Sequence, residues 1–499
     1  MKRYIFMRIL RSLLSIFLVT TLIYTIVYTM VPRNLIFKQD PNYNKVTKTP
    51  DTKADYESTV LERMGYVDYY NTKELQEKAS KKNAQVTTEP NAANKKIYED
   101  YIKGLGNGWK LYQFKDSKQF YALRQVPVFE RVFEFYANLI QIDHPWKVQD
   151  PKNPNLKRGL SITNDPAVGW SLVGSGTKHK YLIYFNGSFP FIHQNIVTLN
   201  LGTSYPTYAN IPVLKVIGQG QGQTKQSEVQ FPTGKKLSSV NIYSRTYKSP
   251  SEADAREIAT YGKDDPYTET DNTYQFPSML VNSSIIGLIG VLISYGLAIP
   301  LGSYMARFKN TIFDSASTAF LTLLMSIPTI ALVYVVRLLG SVVGLPDSFP
   351  SLGAGDWRSY VLPAVILGVL GMPGLAIWIR RYMIDQQSSD YVRFARAKGL
   401  SEAEISRKHI FKHAMVPIVT GIPLSIIMVI VGATLTESVF AFPGMGKMLI
   451  DSVKAANNSM VVGLVFIFTC LSIMSLLLGD ILMTILDPRI KLSNSKGGK

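Results

Sequence analysis

Residues 9–31 and most of 279–486 are dominated by Leu, Ile, Val, Met, Phe and Gly. Runs of that length exceed what a soluble core hides, and they need a bilayer as solvent. Between them, residues 33–275 are polar and rich in Lys, Asn, Tyr and Gln. The 499-residue chain therefore reads as a membrane protein with a water-soluble insertion, in two or three units.

Six segments have the roughly 20 apolar residues that a crossing requires. They lie near 9–31, 279–306, 312–340, 360–382, 414–440 and 460–486. The third to fifth are interrupted by Pro328, Pro363, Pro373, Gly374, Pro417 and Gly421. Such breaks are tolerated where neighbouring helices or water satisfy the freed backbone groups, which points to a bundle around a pathway. The first segment follows Lys2, Arg3, Arg8 and Arg11. Its apolar run is longer than that of a signal peptide and no small-residue cleavage site follows, so it reads as an uncleaved span. Lys and Arg outnumber Asp and Glu in 1–11, 305–314, 380–413 and 487–499, which places these pieces and both termini in the cytoplasm. Residues 33–275 then lie outside the cell membrane.

The net charge of +18 raises the question of nucleic-acid binding. Its distribution argues against that class, because the insertion has only a modest basic excess and the remainder flanks apolar spans, where a membrane explains it. The single cysteine, Cys470, sits in an apolar run. No disulfide within the chain and no Cys-based zinc cluster is available, so the insertion must rest on its own core.

Within the insertion, residues 53–143 read as mostly helical, with Asp55–Ala79 and Lys95–Lys103 at roughly helical spacing. GLGNG at 104–108 and DPKNP at 150–154 read as turns. Tyr181–Phe185, Ile196–Leu201 and Val240–Tyr247 have the content of short strands, which makes an α+β domain. GQGQG at 218–222 reads as a flexible loop. His144, His179 and His193 have no metal-ligand spacing and no G-x-S-x-G is present, so catalysis here is disfavoured. No G-x-x-x-x-G-K-[ST] phosphate loop occurs; Gly234-Lys235 and Gly446-Lys447 do not complete one. The chain does not hydrolyse ATP by that route.

The informative charged stretch is DYVRFARAKGLSEAEISRKHIFKHAMVP, Asp390 to Pro417. A short Arg- and Ala-rich helical pattern breaks at Gly399 and resumes at Ser401. Ser401 suits an N-cap, with Glu404 completing a capping box. A helix–Gly–helix elbow suits a groove on a soluble partner, whereas charge alone favours an ordinary basic juxtamembrane loop.

YVRFARAKGL resembles the signature loop of ABC importer permeases, in the version carried by peptide and nickel permeases. Here Arg393-Phe394-Ala395 fills positions that are Glu-Ala-Ala in the generic loop, and Pro417 lies further past Gly399. ESVFAFPGMGKML (Glu437–Leu449), LDPRIKL (Leu486–Leu492) and NLGTSY (Asn200–Tyr205) resemble further segments of the same family, in the same order. The resemblance covers the first span and about 200–499. The long insertion resembles the larger outer domain of Ami-type oligopeptide permeases.

The resemblance implies a type I ABC importer permease fold, a six-helix bundle with an extracellular α+β domain between helices 1 and 2. Its parts are 1–32, 33–275 and 276–499, with a coupling loop at about 384–413. It implies that Asp390, Tyr391, Arg393, Ala395, Arg396, Ala397, Lys398, Gly399 and Leu400 couple to an ATPase. Phe440, Phe442, Pro443, Gly444 and Gly446 are assigned to an outer gate. The implied partners are a second homologous permease, two ABC ATPases that hold ATP and Mg, an extracellular lipid-anchored peptide-binding protein, an oligopeptide and membrane lipid. The chain itself holds no cofactor, metal or nucleic acid and is a non-catalytic subunit. The alternatives are nickel or dipeptide as cargo, an ABC exporter or mechanotransmission protein, and, in another class, a receptor or scaffold with an outer sensing domain.

Of the remaining residues, His409 and His413 are four apart but lack the other marks of a metal site. Asp480 and Arg337 fall in or near spans and either line a pathway or snorkel to the interface. Cys470 reads as a packing residue, and Gly340 with Gly344 forms a G-x-x-x-G pattern that marks close helix packing or arises by chance in Gly-rich spans.

Overall fold

The structure is a computed structural model. It describes residues 2–82, 85–147, 158–165, 169–177, 179, 181–185, 192–218, 226–231, 233–239, 241–245, 255–261, 267–272 and 277–486. The chain divides into two compact units: Met1–Tyr43 with Ser204–Asn210 and Pro277–Lys499, and Asn44–Thr203 with Ile211–Phe276.

The first unit is helical. Its helices are α1 (Lys2–Met30), α2 (Met279–Arg307), α3 (Ile312–Ser326), α4 (Thr329–Val342), α5 (Arg358–Gln387), α6 (Asp390–Ala397), α7 (Phe411–Thr420), α8 (Ile422–Gly432), α9 (Thr434–Val439), α10 (Met445–Lys454) and α11 (Asn458–Leu486). Five helical stretches among the described residues are long and apolar enough to cross a membrane, counting Ile422–Val439 as one; α3 and α4 make a sixth only if the bent pair is one span.

The interruption expected in the third segment, 312–340, is a sharp bend, since its two helices meet at 103°. The cause is Pro328. The proline pushes Ile327 into an extended conformation (ψ 131) and offers no N–H to continue the ladder. The interruption expected in the fourth segment is absent, since Pro363, Pro373 and Gly374 lie inside the unbroken α5. The fifth segment does break, at Gly421, between α7 and α8.

Small residues bring α2 and α5 together. A Cβ on Gly302 would stand 2.6 Å from the Ala376 carbonyl oxygen, and Ser294 Oγ donates to the Gly368 carbonyl at 2.9 Å. Gly340 packs closely on Leu362, but Gly344 (φ +80) meets nothing, so the G-x-x-x-G reading holds for one member only. Asp314 at the start of α3 accepts a two-pronged pair from Arg380 on α5, at 2.6 and 2.7 Å. Both span-embedded charges are paired: Asp480 with Arg8 on α1, and Arg337 with Asp347 at 3.0 Å and the Val439 carbonyl at 3.1 Å.

The boundary expected at residue 33 moves. Residues 33–43 and 204–210 belong with the helical unit because they are bonded into it. Tyr205 Oη donates to Asp40 at 2.5 Å, and the Phe37 ring lies 6.1 Å from that of Tyr205. Asn457, fully buried just before α11, donates to Ser204 Oγ and Thr207 Oγ1, both at 2.8 Å. Its own Oδ1 accepts from the Tyr205 amide at 3.3 Å. Asn457→Ala strands these groups at a cost of about 2 kcal/mol. Limited proteolysis of the detergent-purified protein should then cut at 204–207, where the wild type resists.

The second unit is α+β. Helices Pro50–Arg63, Thr72–Ser80 and Ala92–Leu105 surround strands β1 (Val67–Tyr70), β2 (Trp109–Gln113) and β3 (Phe120–Gln125), ordered β1-β3-β2 and antiparallel. The mostly helical reading of 53–143 missed this sheet. Strands of four to six residues present too few alternations to outweigh the helical spacing around them. Leu75, Ala79, Tyr98, Ile102, Phe120 and Ala122 form its core. The turn at 104–108 is present, with Gly106, Asn107 and Gly108 all at positive φ. A second sheet holds Gly159–Asp165, Gly169–Ser175, Tyr181–Phe185 and Ile192–Gln194. Strands also form at Val197–Leu199 and Asn241–Arg245, inside the two other expected segments. Residues 150–154, 219–222 and 487–492 lie outside the described residues.

Candidate functional site

The elbow is built on α6. Ser389, extended, precedes it, and Val392 and Ala395 turn inward to a core shared with Met305, Ala306, Met383, Ile405 and Ile410. Tyr391 Oη donates to Gln386 Oε1 at 2.8 Å, and its ring lies 4.8 Å from that of His413. His413 is thus an aromatic neighbour, and no group of three or more metal-ligating side chains occurs among the described residues.

The helix ends in a Schellman turn. The Leu400 amide donates to the Ala395 carbonyl at 3.3 Å and the Gly399 amide to the Arg396 carbonyl at 2.9 Å. Gly399 has φ +76, a conformation that costs any side chain with a Cβ. Leu400 packs against the same core as Ala395, the apolar contact that accompanies this motif. Across the turn, Arg396 donates to Glu402 through Nε at 2.6 Å and Nη2 at 3.2 Å. The Arg396 hydrogen bonds hold the Glu402 carboxyl below its ordinary value. That pairing is complete above about pH 4.5 and is lost as pH falls through the lowered value.

Ser401 caps the next turn, accepting from the Glu404 amide at 3.3 Å. The expected capping box is only half formed, because Glu404 Oε1 accepts from Lys408 Nζ at 2.7 Å. Residues Ile405–Ile410 then wind as a π-helical turn before α7.

The residues implied to couple to an ATPase divide by exposure. Asp390, Arg393, Arg396, Ala397, Lys398 and Gly399 are exposed, while Ala395 is buried and Tyr391 and Leu400 are half-buried. The second group holds the elbow on the bundle. Phe394, outside the residues that the family resemblance implies, is 69 % exposed. Its signal was an aromatic standing off the apolar stripe of a short helix.

At Glu437–Lys447 the chain closes on itself. Glu437 is fully buried. Its Oε1 accepts from Ser283 Oγ at 2.6 Å and its Oε2 from the Lys447 amide at 2.8 Å. Ser283 Oγ accepts in turn from the Met445 amide at 2.9 Å. Asn282, next to Ser283 on α2, donates to the Pro443 carbonyl at 3.0 Å and accepts from Tyr360 Oη at 3.0 Å. Phe442 meets Phe349 and Tyr360 edge-on, at 4.9 and 5.5 Å. Phe440, Phe442, Pro443, Gly444 and Gly446 are all buried, so the structure brings the five together inside the chain, as a clasp joining α9, α10 and α2. The organiser is Glu437, whose role the sequence pattern did not disclose.

A family model described as binding-protein-dependent transport system inner membrane component matches residues 298–492. The chain is 74% identical to the oligopeptide transport system permease protein AmiC of Streptococcus pneumoniae, over 100% of both chains. It is 29% identical over 227 residues to the dipeptide transport system permease protein DppB of Lactococcus lactis, covering 45% of this chain and 74% of that one. Among solved structures, the MetNI methionine ABC transporter matches 42% of this chain and 96% of its own at 16% identity, with a TM-score of 0.35.

Proposed function

The chain belongs to the family of binding-protein-dependent transport system inner membrane components, and from that membership we propose the following working cycle. It is the transmembrane permease subunit of an ATP-driven oligopeptide importer and is not itself an enzyme; ATP is hydrolysed by a separate subunit. The observation that carries the oligopeptide assignment is the 74% identity, over the whole length including the insertion, to a protein named an oligopeptide permease.

Two permease subunits enclose the pathway, two ATPases sit in the cytoplasm, and a lipid-anchored binding protein delivers peptide outside. The exposed row of α6, with Phe394 at its centre, docks in a cleft of the ATPase. Closure of the ATPases moves the elbow, and the buried contacts of Val392, Ala395 and Leu400 carry that motion into α2, α5 and α7. The clasp moves as one block and gates the outer end. Residues 33–275 face the outside and receive or roof the binding protein.

Phe394→Ala should leave folding intact, since the ring is exposed, but lower peptide-stimulated ATPase activity about tenfold through a lost anchor. Normal stimulation would remove Phe394 from the interface.

The assignment is tested by uptake of a labelled four- to six-residue peptide in cells lacking this chain, with and without complementation. Loss of uptake restored by the wild-type chain is the expected result. Unchanged uptake in cells with no second peptide system would sink the oligopeptide reading.

A further inference from the structure

A cavity of about 770 Å³ lies between the last turns of α2 and the turns that follow Gly399. Its lining carries two chemistries. Arg307 and Arg407 supply guanidinium groups and Ser303 and Ser406 hydroxyls, while Ile299 and Phe411 supply apolar surface. Neither arginine forms an ion pair among the described residues. Arg307 rests beside the ring of Phe308, 5.6 Å away. Glu404, the carboxylate in the lining, is hydrogen-bonded by Lys408 and is also attracted by Arg407, without an ion pair to it. A second observation is independent of charge: the Ser303 hydroxyl is buried and has no hydrogen-bond partner among the described residues. Buried hydroxyls are ordinarily satisfied, so this one is open to an acceptor brought by a ligand.

Two guanidinium forks outside any ion pair among the described residues, with a hydroxyl open to a partner, suit an anion with several oxygens, above all a phosphate. The volume is that of a small-molecule site. The apolar part of the lining suits a ligand with a hydrocarbon body. Arg307 is the last residue of a membrane-spanning helix, the level at which a headgroup lies.

We propose that this cavity binds a phosphate-bearing amphiphile, the headgroup of an anionic phospholipid. α2 supplies Arg307 and Ser303; the elbow supplies Arg407 and Ser406. The bound phosphate therefore bridges a span to the segment that follows the coupling turn. The site rests on the cytoplasmic placement proposed above, and it adds a lipid control on coupling. Free phosphate shares the chemistry and is separated from lipid by experiment.

The complete transporter is placed in phosphatidylcholine nanodiscs with a rising fraction of phosphatidylglycerol carrying a photoactivatable group. Labelling of residues 299–307 and 401–411 is read by mass spectrometry, a readout independent of transport. The expected result is saturable labelling that falls about tenfold in Arg307→Gln/Arg407→Gln, the loss of two cation–phosphate contacts. Each single substitution should give a smaller fall with less disturbance of the fold. A zwitterionic probe should not label, and excess inorganic phosphate should not compete. Displacement by inorganic phosphate would overturn the lipid assignment and leave a soluble phosphate compound as the ligand. Equal labelling of wild type and both single variants would overturn the site. Peptide uptake that failed while labelling behaved as expected would count against the transport reading alone.

Discussion

Gly444→Ala should reduce peptide uptake to a tenth or less and lower the yield of folded chain. The backbone of Gly444 is ordinary, at φ −130, so any residue could adopt it. The obstacle is space. An added Cβ falls well inside contact distance of the Glu437 carboxyl carbon and Oε1. That carboxylate has nowhere to go, since it is fully buried and bonded on both oxygens. One methyl group therefore displaces Glu437 and strands Ser283 and the Lys447 amide. Overpacking together with a disrupted buried carboxylate amounts to about 3 kcal/mol. The origin of the loss is checked by a double-mutant cycle on thermal stability in detergent. Gly444→Ala should cost much less in a Glu437→Ala background than in the wild type. Equal cost in both backgrounds would mean that the carboxylate is not what the glycine makes room for.

Gly399→Asp should leave the chain inserted and folded yet cut uptake about tenfold or more, the loss of roughly 1.4 kcal/mol or more of productive docking. Here space is not the obstacle, because a Cβ at this position meets nothing within 4 Å. Strain at φ +76 accounts for roughly 1 kcal/mol, which a buried core of this size absorbs. The larger effect comes from a new carboxylate beside Lys398 and Arg396, on the exposed row assigned to the ATPase. Gly399→Asn separates the two causes, because asparagine tolerates the left-handed region and carries no charge. It should retain most uptake. If asparagine and aspartate were equally damaging, the turn rather than the docking face would be responsible.

The elbow was legible because its signals are local. Gly399 marks the turn, Ser401 marks the cap, and the apolar stripe of α6 is short but regular. The apolar spans were legible for the same reason. Which prolines break a span was not, because Pro328 bends the chain while Pro363 and Pro373 leave α5 unbroken; neighbouring helices decide between the two outcomes. The clasp was visible only as a string of motif letters. That Glu437 reaches Ser283, from a helix more than a hundred residues earlier, is a tertiary fact with no periodicity to announce it. The sheet of β1, β2 and β3 was hidden by strands too short to show alternation against the helices around them.

The π-helical turn at Ile405–Ile410 sets the phase of everything after it. Its buried pair, Ile405 and Ile410, is spaced by five, whereas Ala414 and Ile418 beyond it return to a spacing of four. The turn thus holds one residue more than an α-helix would use to cover the same angle. Rewinding those residues as α-helix would turn α7 by about 100° relative to α6 and shift it about 1.5 Å along its axis. The elbow and the following span face their shared core together only while that surplus residue stays where it is.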